Sequence, residues 1–115
     1  MSLNKILGIA LLALTSGFVA SAVEALEVCP VQSHRPLRSV DVFDGLPEEL
    51  ATLMPDKAES RAGFWELGYV YDADRKVTVR CKYSDGKVID IKISSRVNRC
   101  NYRINLEQTL VLNCK

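Results

Sequence analysis

The sequence predicts a small α+β fold in which a mostly antiparallel β-sheet is covered by one short helix and held by two disulfides. Three observations lead to this prediction. Apolar and polar residues alternate from Phe64 towards the C-terminus, one amphipathic segment begins at Pro47, and four cysteines follow an export signal. The chain has 115 residues, of which 48% are hydrophobic. This length allows one small domain and excludes a multidomain enzyme.

The first 22 residues have the features of a cleavable signal peptide. Lys5 is the only charged residue among them, an apolar run covers residues 6–14, and Ala20-Ser21-Ala22 fits the small-x-small cleavage pattern. We therefore predict a signal peptide over residues 1–22 and one domain over residues 23–115. The predicted location is the periplasm, with no stable membrane insertion after cleavage.

All four cysteines lie after the predicted cleavage site, at Cys29, Cys81, Cys100 and Cys114. An even number of cysteines in a small exported domain predicts two disulfides. No pair has the C-x-x-C spacing of a zinc knuckle or a thioredoxin-type motif, so no metal ligand is expected. A domain of this size buries only about 60–68% of its unfolded surface, and each bridge is expected to add about 2–4 kcal/mol of stability.

The first predicted elements are a short strand over residues 39–43, where valines alternate with polar residues, and a helix over Pro47–Met54. Proline suits the first helical position, glutamates occupy the first turn, and Pro55 ends the helix. Two helical turns alone are unstable in water. The apolar face of the helix is therefore expected to dock on the sheet, and it consists of Leu46, Leu50, Leu53 and Met54.

Turn length sets the register of the next hairpin. A three-residue turn at Ser84-Asp85-Gly86 pairs Cys81 with Ile89, whereas a two-residue Asp-Gly turn pairs Cys81 with Asp90. Only the three-residue turn places apolar residues opposite apolar residues along both strands, and it also puts Gly86 where a left-handed residue is needed. We predict the three-residue turn.

The same argument at Asp72-Ala73-Asp74 predicts a strand that continues from Phe64 to Tyr71. An odd-length turn there pairs Trp65 with Cys81 on an apolar sheet face. Three tyrosines on that face are expected to pack in the core rather than to form a binding surface. They are Tyr69, Tyr71 and Tyr83. The opposite face is expected to be solvated, with Glu66, Thr78, Arg80, Lys82, Asp90 and Lys92.

The alternation of apolar and polar residues near the C-terminus predicts one more hairpin. It is centred on Glu107 and places Cys100 opposite Cys114. This register favours a Cys100–Cys114 bridge and leaves Cys29 to pair with Cys81. Four cysteines allow three connectivities, and the sequence alone does not decide among them.

No residue pattern predicts catalysis. His34 is the only histidine and lies in a proline-rich segment without a nucleophile motif. Glu48 and Glu66 are a conceivable carboxylate pair, but nothing fixes their separation. We predict no catalytic residue, no cofactor and no metal site, and the binding residues are unknown. A basic cluster near the tail is expected on a solvated face, and it consists of Arg96, Arg99 and Arg103.

Five short motifs follow one another along the chain, and each appears once. They are Cys29-Pro30, Val42-Phe43-Asp44-Gly45-Leu46-Pro47, Leu53-Met54-Pro55, Phe64-Trp65-Glu66-Leu67 and Val79-Arg80-Cys81-Lys82-Tyr83. In these motifs the chain resembles a small periplasmic family of Gram-negative bacteria. Some genes of that family lie beside type VI secretion effectors that attack peptidoglycan, notably effectors of the L,D-transpeptidase type. The resemblance implies an immunity protein that binds the toxin in the periplasm and blocks its active site. It carries over no binding residues, because the matched residues are the cysteines and the core.

The segment Cys81-Lys82-Tyr83-Ser84-Asp85-Gly86 is also similar to periplasmic lysozyme inhibitors, although the Ser-Gly-x-x-Tyr-like inhibitory segment of those proteins is not found in this sequence. A formal net charge of +1 excludes the basic footprint of most nucleic-acid binders. We therefore predict a non-enzymatic periplasmic protein whose partner is a protein, as an immunity protein against a peptidoglycan-targeting effector. The alternatives are a lysozyme inhibitor and an envelope structural or assembly factor.

Overall fold

In the computed structural model, residues 26–115 are described, and they form two antiparallel sheets that share one core. The predicted signal peptide, residues 1–22, lies outside the described residues. Within the described part of the chain, no helix is long and apolar enough to cross a bilayer.

Between residues 26 and 115, nine strands and two short helical segments follow one another. They are β1 (Leu26–Glu27), β2 (Leu37–Asp44), a 3-10 helix (Pro47–Glu49), β3 (Thr52–Leu53), β4 (Lys57–Ala58), β5 (Ala62–Glu66), α1 (Gly68–Asp72), β6 (Val77–Tyr83), β7 (Val88–Ile93), β8 (Arg99–Ile104) and β9 (Leu110–Cys114). One sheet has five strands in the order β1-β9-β8-β5-β4, and the other has four in the order β3-β2-β6-β7. This architecture confirms the predicted class of a mostly antiparallel β fold with one short α-helix and two disulfides.

The core lies where the inner faces of the two sheets meet. Val42 and Val79 contribute to it from the four-stranded sheet, and Trp65 and Leu112 from the five-stranded sheet. The disulfide between Cys29 and Cys81 joins the chain beyond β1 to β6, and so it links the two sheets covalently. The second disulfide, Cys100–Cys114, lies within the five-stranded sheet.

The two hairpins adopt the predicted registers. Cys81 faces Ile89 across β6 and β7, and Gly86 in the turn has a φ of 89°. In this left-handed region glycine carries no steric cost, which explains the three-residue turn. Cys100 faces Cys114 directly across β8 and β9, as predicted for the tail hairpin.

The helix predicted over Pro47–Met54 is wrong beyond its first turn. Only Pro47–Glu49 is helical, Leu50 turns into the left-handed region with a φ of 61°, and Thr52–Leu53 pairs with β2 as strand β3. An eight-residue helix is marginal by itself, whereas pairing with β2 satisfies backbone groups at an otherwise open sheet edge. The second sheet, not a helix, covers the apolar face.

The strand predicted from Phe64 to Tyr71 is also wrong in its second half. The chain leaves the five-stranded sheet after Glu66 and forms α1, and Trp65 faces Cys100 rather than Cys81. Leu67 and Val70 are both fully buried. The i, i+3 spacing of these two residues suits a helix, whereas the alternation of apolar and polar residues from Phe64 to Tyr71 suits a strand. Packing against the core decides between the two.

Two side chains have different surroundings from those predicted. Tyr69, expected in the core, is 52% exposed, whereas Thr78, expected on the solvated face, is only 4% exposed. Tyr83 is buried as predicted, and its hydroxyl donates a hydrogen bond of 2.6 Å to the carbonyl oxygen of Pro30.

Candidate functional site

A groove of about 330 Å³ opens between the two sheets where β2 and β3 pass β5, β8 and β9. Its apolar surface comes from alternate residues of these strands, and a few polar side chains stand beside them. We call it the inter-sheet groove, and it is lined by Arg38, Ser39, Val40, Asp41, Val42, Thr52, Leu53, Met54, Pro55, Trp65, Tyr102, Ile104 and Leu110.

Two aromatic side chains line this groove. The rings of Trp65 and Tyr102 are 5.5 Å apart and inclined at 55°. Trp65 is almost completely buried, whereas Tyr102 is half-buried and keeps part of its ring accessible. Rigid aromatic groups and a methionine are typical of the well-packed centre of protein interfaces.

The segment that leads into the groove exposes bulky apolar residues. Leu50 and Met54 are each 81% exposed, and Leu46 is 44% exposed. We call residues 46–54 the apolar segment. Bulky apolar side chains that are exposed within one short segment make this part of the chain a candidate binding surface.

Hydrogen bonds hold the apolar segment in one conformation. The Leu50 N–H donates to the carbonyl oxygen of Pro47 at 3.0 Å, and the Asp44 N–H donates to the carbonyl oxygen of Ala51 at 3.0 Å. The side chain of Glu49 accepts a hydrogen bond from the Leu46 N–H at 3.0 Å. A left-handed conformation is uncommon for a leucine, and here these contacts support it. Leu50 is thus presented to solvent before any partner arrives.

Charged side chains around the groove make hydrogen bonds or ion pairs within the chain. Arg38 donates to the carbonyl oxygens of Glu107 and Gln108, at 3.2 and 2.8 Å, and Asp41 lies 3.0 Å from the ammonium group of Lys82. The groove therefore offers apolar surface with a polar rim whose groups already have partners within the chain, which suits an apolar side chain from a partner protein.

The residues considered for catalysis do not come together. His34 is exposed in a loop, Glu48 is exposed on the 3-10 helix, and Glu66 is exposed beside Arg99, with which it forms an ion pair. In the described part of the chain, no group of three or more His, Cys, Asp or Glu residues is placed to hold a metal ion.

The basic cluster near the tail is largely neutralised by acidic neighbours. Arg96 lies 2.6 Å from Asp72, and Arg99 pairs with Glu66 while its guanidinium lies 3.9 Å from the ring centre of Phe64. Arg103 is exposed on β8. The cluster is consequently a solvated face with internal ion pairs, as the sequence predicts.

Sequence reasoning did not find the groove or the apolar segment. The pattern predicts that the apolar residues of 46–54 belong to a helix docked on the sheet, and this prediction buries side chains that the structure exposes. One signal was available, because only seven residues separate Pro47 from Pro55 and leave little room for a stable helix. The groove itself depends on the packing of two sheets, which no local pattern describes.

One comparison with known proteins identifies the family. The family model for the type VI secretion system Tli immunity protein matches residues 32–115, most of the described chain. The chain belongs to the Tli immunity protein family. Membership gives the protein an immunity role and implies that it binds a partner effector protein. Its two disulfides and its family agree with an extracytoplasmic location. No curated protein and no solved structure gives a significant match.

Proposed function

We propose that this immunity protein acts in the periplasm without catalysis, by binding a cognate effector through the inter-sheet groove and the apolar segment. One observation carries the proposal: Met54 is exposed where it lines an apolar groove, and Leu50, four residues before it, is equally exposed, in a member of an immunity family. An apolar side chain of the effector fills the groove, and the surrounding contact blocks the effector's active centre.

The rigidity of the scaffold supports this mode of inhibition. Two disulfides constrain the strands around the groove, and backbone hydrogen bonds fix the apolar segment. Because little conformational entropy is lost when such a surface binds, a modest contact area gives a stable complex. Inhibition is therefore stoichiometric, with one immunity protein for each effector molecule.

The effector's substrate class follows from the resemblance in the sequence, which implies a peptidoglycan-targeting enzyme. Residues 1–22, as a cleavable signal peptide, deliver the protein to the compartment where peptidoglycan is exposed. Removing residues 1–22 should abolish protection, because the protein then stays in the cytoplasm with reduced cysteines. Equal protection by the truncated form contradicts the periplasmic mechanism.

The interface is tested with a matched pair of charge substitutions. Met54→Asp places a carboxylate at the groove mouth, and Val31→Asp places one at a position that is 83% exposed and does not line the groove. We expect Met54→Asp to weaken effector binding by about tenfold or more, and Val31→Asp to leave it unchanged. Binding is measured by titration calorimetry and protection by survival of cells that produce the effector. Equal effects of the two substitutions contradict this interface.

The substrate class is tested separately, with the effector encoded beside this gene. Cells that receive the effector in the periplasm without its immunity protein should release labelled peptidoglycan fragments and keep intact phospholipids. Degraded phospholipids with an unchanged wall contradict the peptidoglycan assignment but leave the binding surface to be judged by the Met54→Asp result. The absence of catalysis is tested with His34→Ala, which should protect fully.

A further inference from the structure

Strand β7 is the longest open sheet edge among the described residues. The other three edge strands, β1, β3 and β4, have two residues each, whereas β7 runs over six residues, Val88–Ile93. It pairs with β6 on one side and with no strand of the described chain on the other. A long open edge is a template for pairing with another strand.

Hydrogen bonding next to the turn shows which backbone groups of β7 are free. The Tyr83 N–H donates to the carbonyl oxygen of Lys87 at 2.9 Å, so this pair is hydrogen-bonded and the pattern alternates from there along the ladder. Ile89, Ile91 and Ile93 therefore direct their backbone groups towards β6. The alternate residues of the strand direct their backbone groups outward, and these are Val88, Asp90 and Lys92.

The two faces of β7 differ sharply in chemistry. The isoleucine side chains are half-buried against the core, at the border of the region that the five-stranded sheet covers. On the opposite face Asp90 is held by a bidentate hydrogen bond from Arg80, at 2.8 and 3.1 Å, and Lys92 is exposed. A carboxylate accepts more than two hydrogen bonds, so Asp90 retains capacity for another cation.

We propose that β7 pairs antiparallel with β7 of a second copy of this chain, about a two-fold axis that passes through Ile91. In this register Asp90 of each copy lies opposite Lys92 of the other. The outward-directed backbone N–H and C=O groups of these two residues hydrogen-bond to each other. Ile91 faces its own counterpart, and Ile89 faces Ile93. Two ion pairs and an unbroken isoleucine row therefore form together.

The other two-fold registers that join outward-directed groups lack this complementarity. An axis at Asp90 sets two carboxylates face to face, an axis at Lys92 sets two ammonium groups face to face, and an axis at Ile89 sets Asp90 opposite Val88. Like charges directly opposite each other destabilise strand pairing. Among the four registers with an axis at residues 89–92, the alternation of isoleucine with one acidic and one basic residue favours the one centred on Ile91.

The proposed dimer is a continuous sheet through both copies and leaves the inter-sheet groove accessible. β3, which borders the groove, lies at the opposite edge of the four-stranded sheet from β7. Each copy can therefore hold an effector while paired. Because the contact is one strand wide, the dimer should dissociate on dilution.

Charge reversal tests the register in protein expressed from the full coding sequence and recovered with its disulfides formed. Lys92→Asp and Asp90→Lys each place like charges opposite one another, and each should raise the dimer dissociation constant at least about tenfold in sedimentation equilibrium. An equimolar mixture of the two variants restores opposite charges in both pairs and should form heterodimers. Wild type that stays monomeric at millimolar concentration, or a mixture that stays monomeric although both variants are folded, overturns the proposal.

A backbone test does not depend on charge. Lys92→Pro removes an outward-directed N–H and leaves the bonds to β6 intact, so it should give a folded monomer. In wild type the amides of Asp90 and Lys92 should exchange hydrogen more slowly at high than at low protein concentration. Concentration-independent exchange contradicts self-pairing. If wild type is monomeric and Lys92→Pro instead loses effector binding, the edge belongs to the effector and the proposal is overturned.

Discussion

The indole N–H of Trp65 donates a hydrogen bond of 3.1 Å to the carbonyl oxygen of Leu53 and so joins β5 of one sheet to β3 of the other. Trp65 is 4% exposed, and its ring also contacts the groove. The same residue therefore fills the core, supplies the floor of the inter-sheet groove and anchors the end of the apolar segment. Core stability and the proposed binding surface are therefore coupled through Trp65.

Truncation of Trp65 should be among the most damaging single changes in the chain. Trp65→Ala is expected to lower the free energy of unfolding by about 3–5 kcal/mol, because it removes a large buried ring and leaves a cavity. Trp65→Phe retains most of the apolar contact but loses the hydrogen bond to Leu53, which contributes about 0.5–1.5 kcal/mol. Urea denaturation measures the free energy of unfolding of both variants. Similar losses for the two variants contradict the claim that the buried ring contributes most of the stability.

The two disulfides should contribute unequally to stability. Cys29–Cys81 spans 52 residues and Cys100–Cys114 spans 14, so the first restricts the unfolded chain more. Loop entropy predicts about 4 kcal/mol for the longer loop and about 3 kcal/mol for the shorter one. Paired Cys→Ser variants compared by thermal unfolding measure the difference. Native protein should contain no free thiol and should weigh four hydrogens less than the reduced chain, and alkylation of four thiols without reductant contradicts this.

Alkaline pH should destabilise the fold through its tyrosines. Burial raises the pKa values of Tyr71 and Tyr83 above the ordinary value of 10.0. The raised pKa values mean that the folded state holds these protons more tightly than the unfolded chain. Their contribution is complete below about pH 10 and is lost as pH rises through the folded pKa values. Tyr83→Phe removes one titrating group, and it should flatten the loss of unfolding free energy above about pH 10. An unchanged slope contradicts the assignment to Tyr83.

Replacement of Thr78 by valine should not weaken the protein. Thr78 is 4% exposed, and its hydroxyl has no hydrogen-bond partner among the described residues. A buried hydroxyl without a partner costs free energy, so Thr78→Val should raise the free energy of unfolding by about 1 kcal/mol. Thr52→Val, at an exposed position of β3, is the control and should change it by less than about 0.5 kcal/mol. A loss of stability in Thr78→Val indicates that the hydroxyl is hydrogen-bonded in solution.

The elements predicted correctly from the sequence are those whose partners are close along the chain. In the β6–β7 and β8–β9 hairpins, a short turn leaves few registers, and only one of them places apolar residues opposite each other. The position of Cys100 opposite Cys114, and hence one disulfide, follows from that local constraint. Side-chain alternation and turn length are sufficient because a shift of one residue turns every side chain to the other face.

The tertiary structure alone decided the elements whose partners are distant along the chain. Leu50 and Met54 are exposed because residues 52–53 complete the edge of β2 instead of continuing a helix, and Trp65 faces Cys100 because the chain bends into α1 after β5. In both segments the local pattern permits two conformations. Burial against a second sheet selects one of them, and that second sheet also creates the groove. The sequence by itself therefore determined the β-rich class and the hairpin registers, whereas the full disulfide connectivity and the proposed binding surface depend on long-range packing.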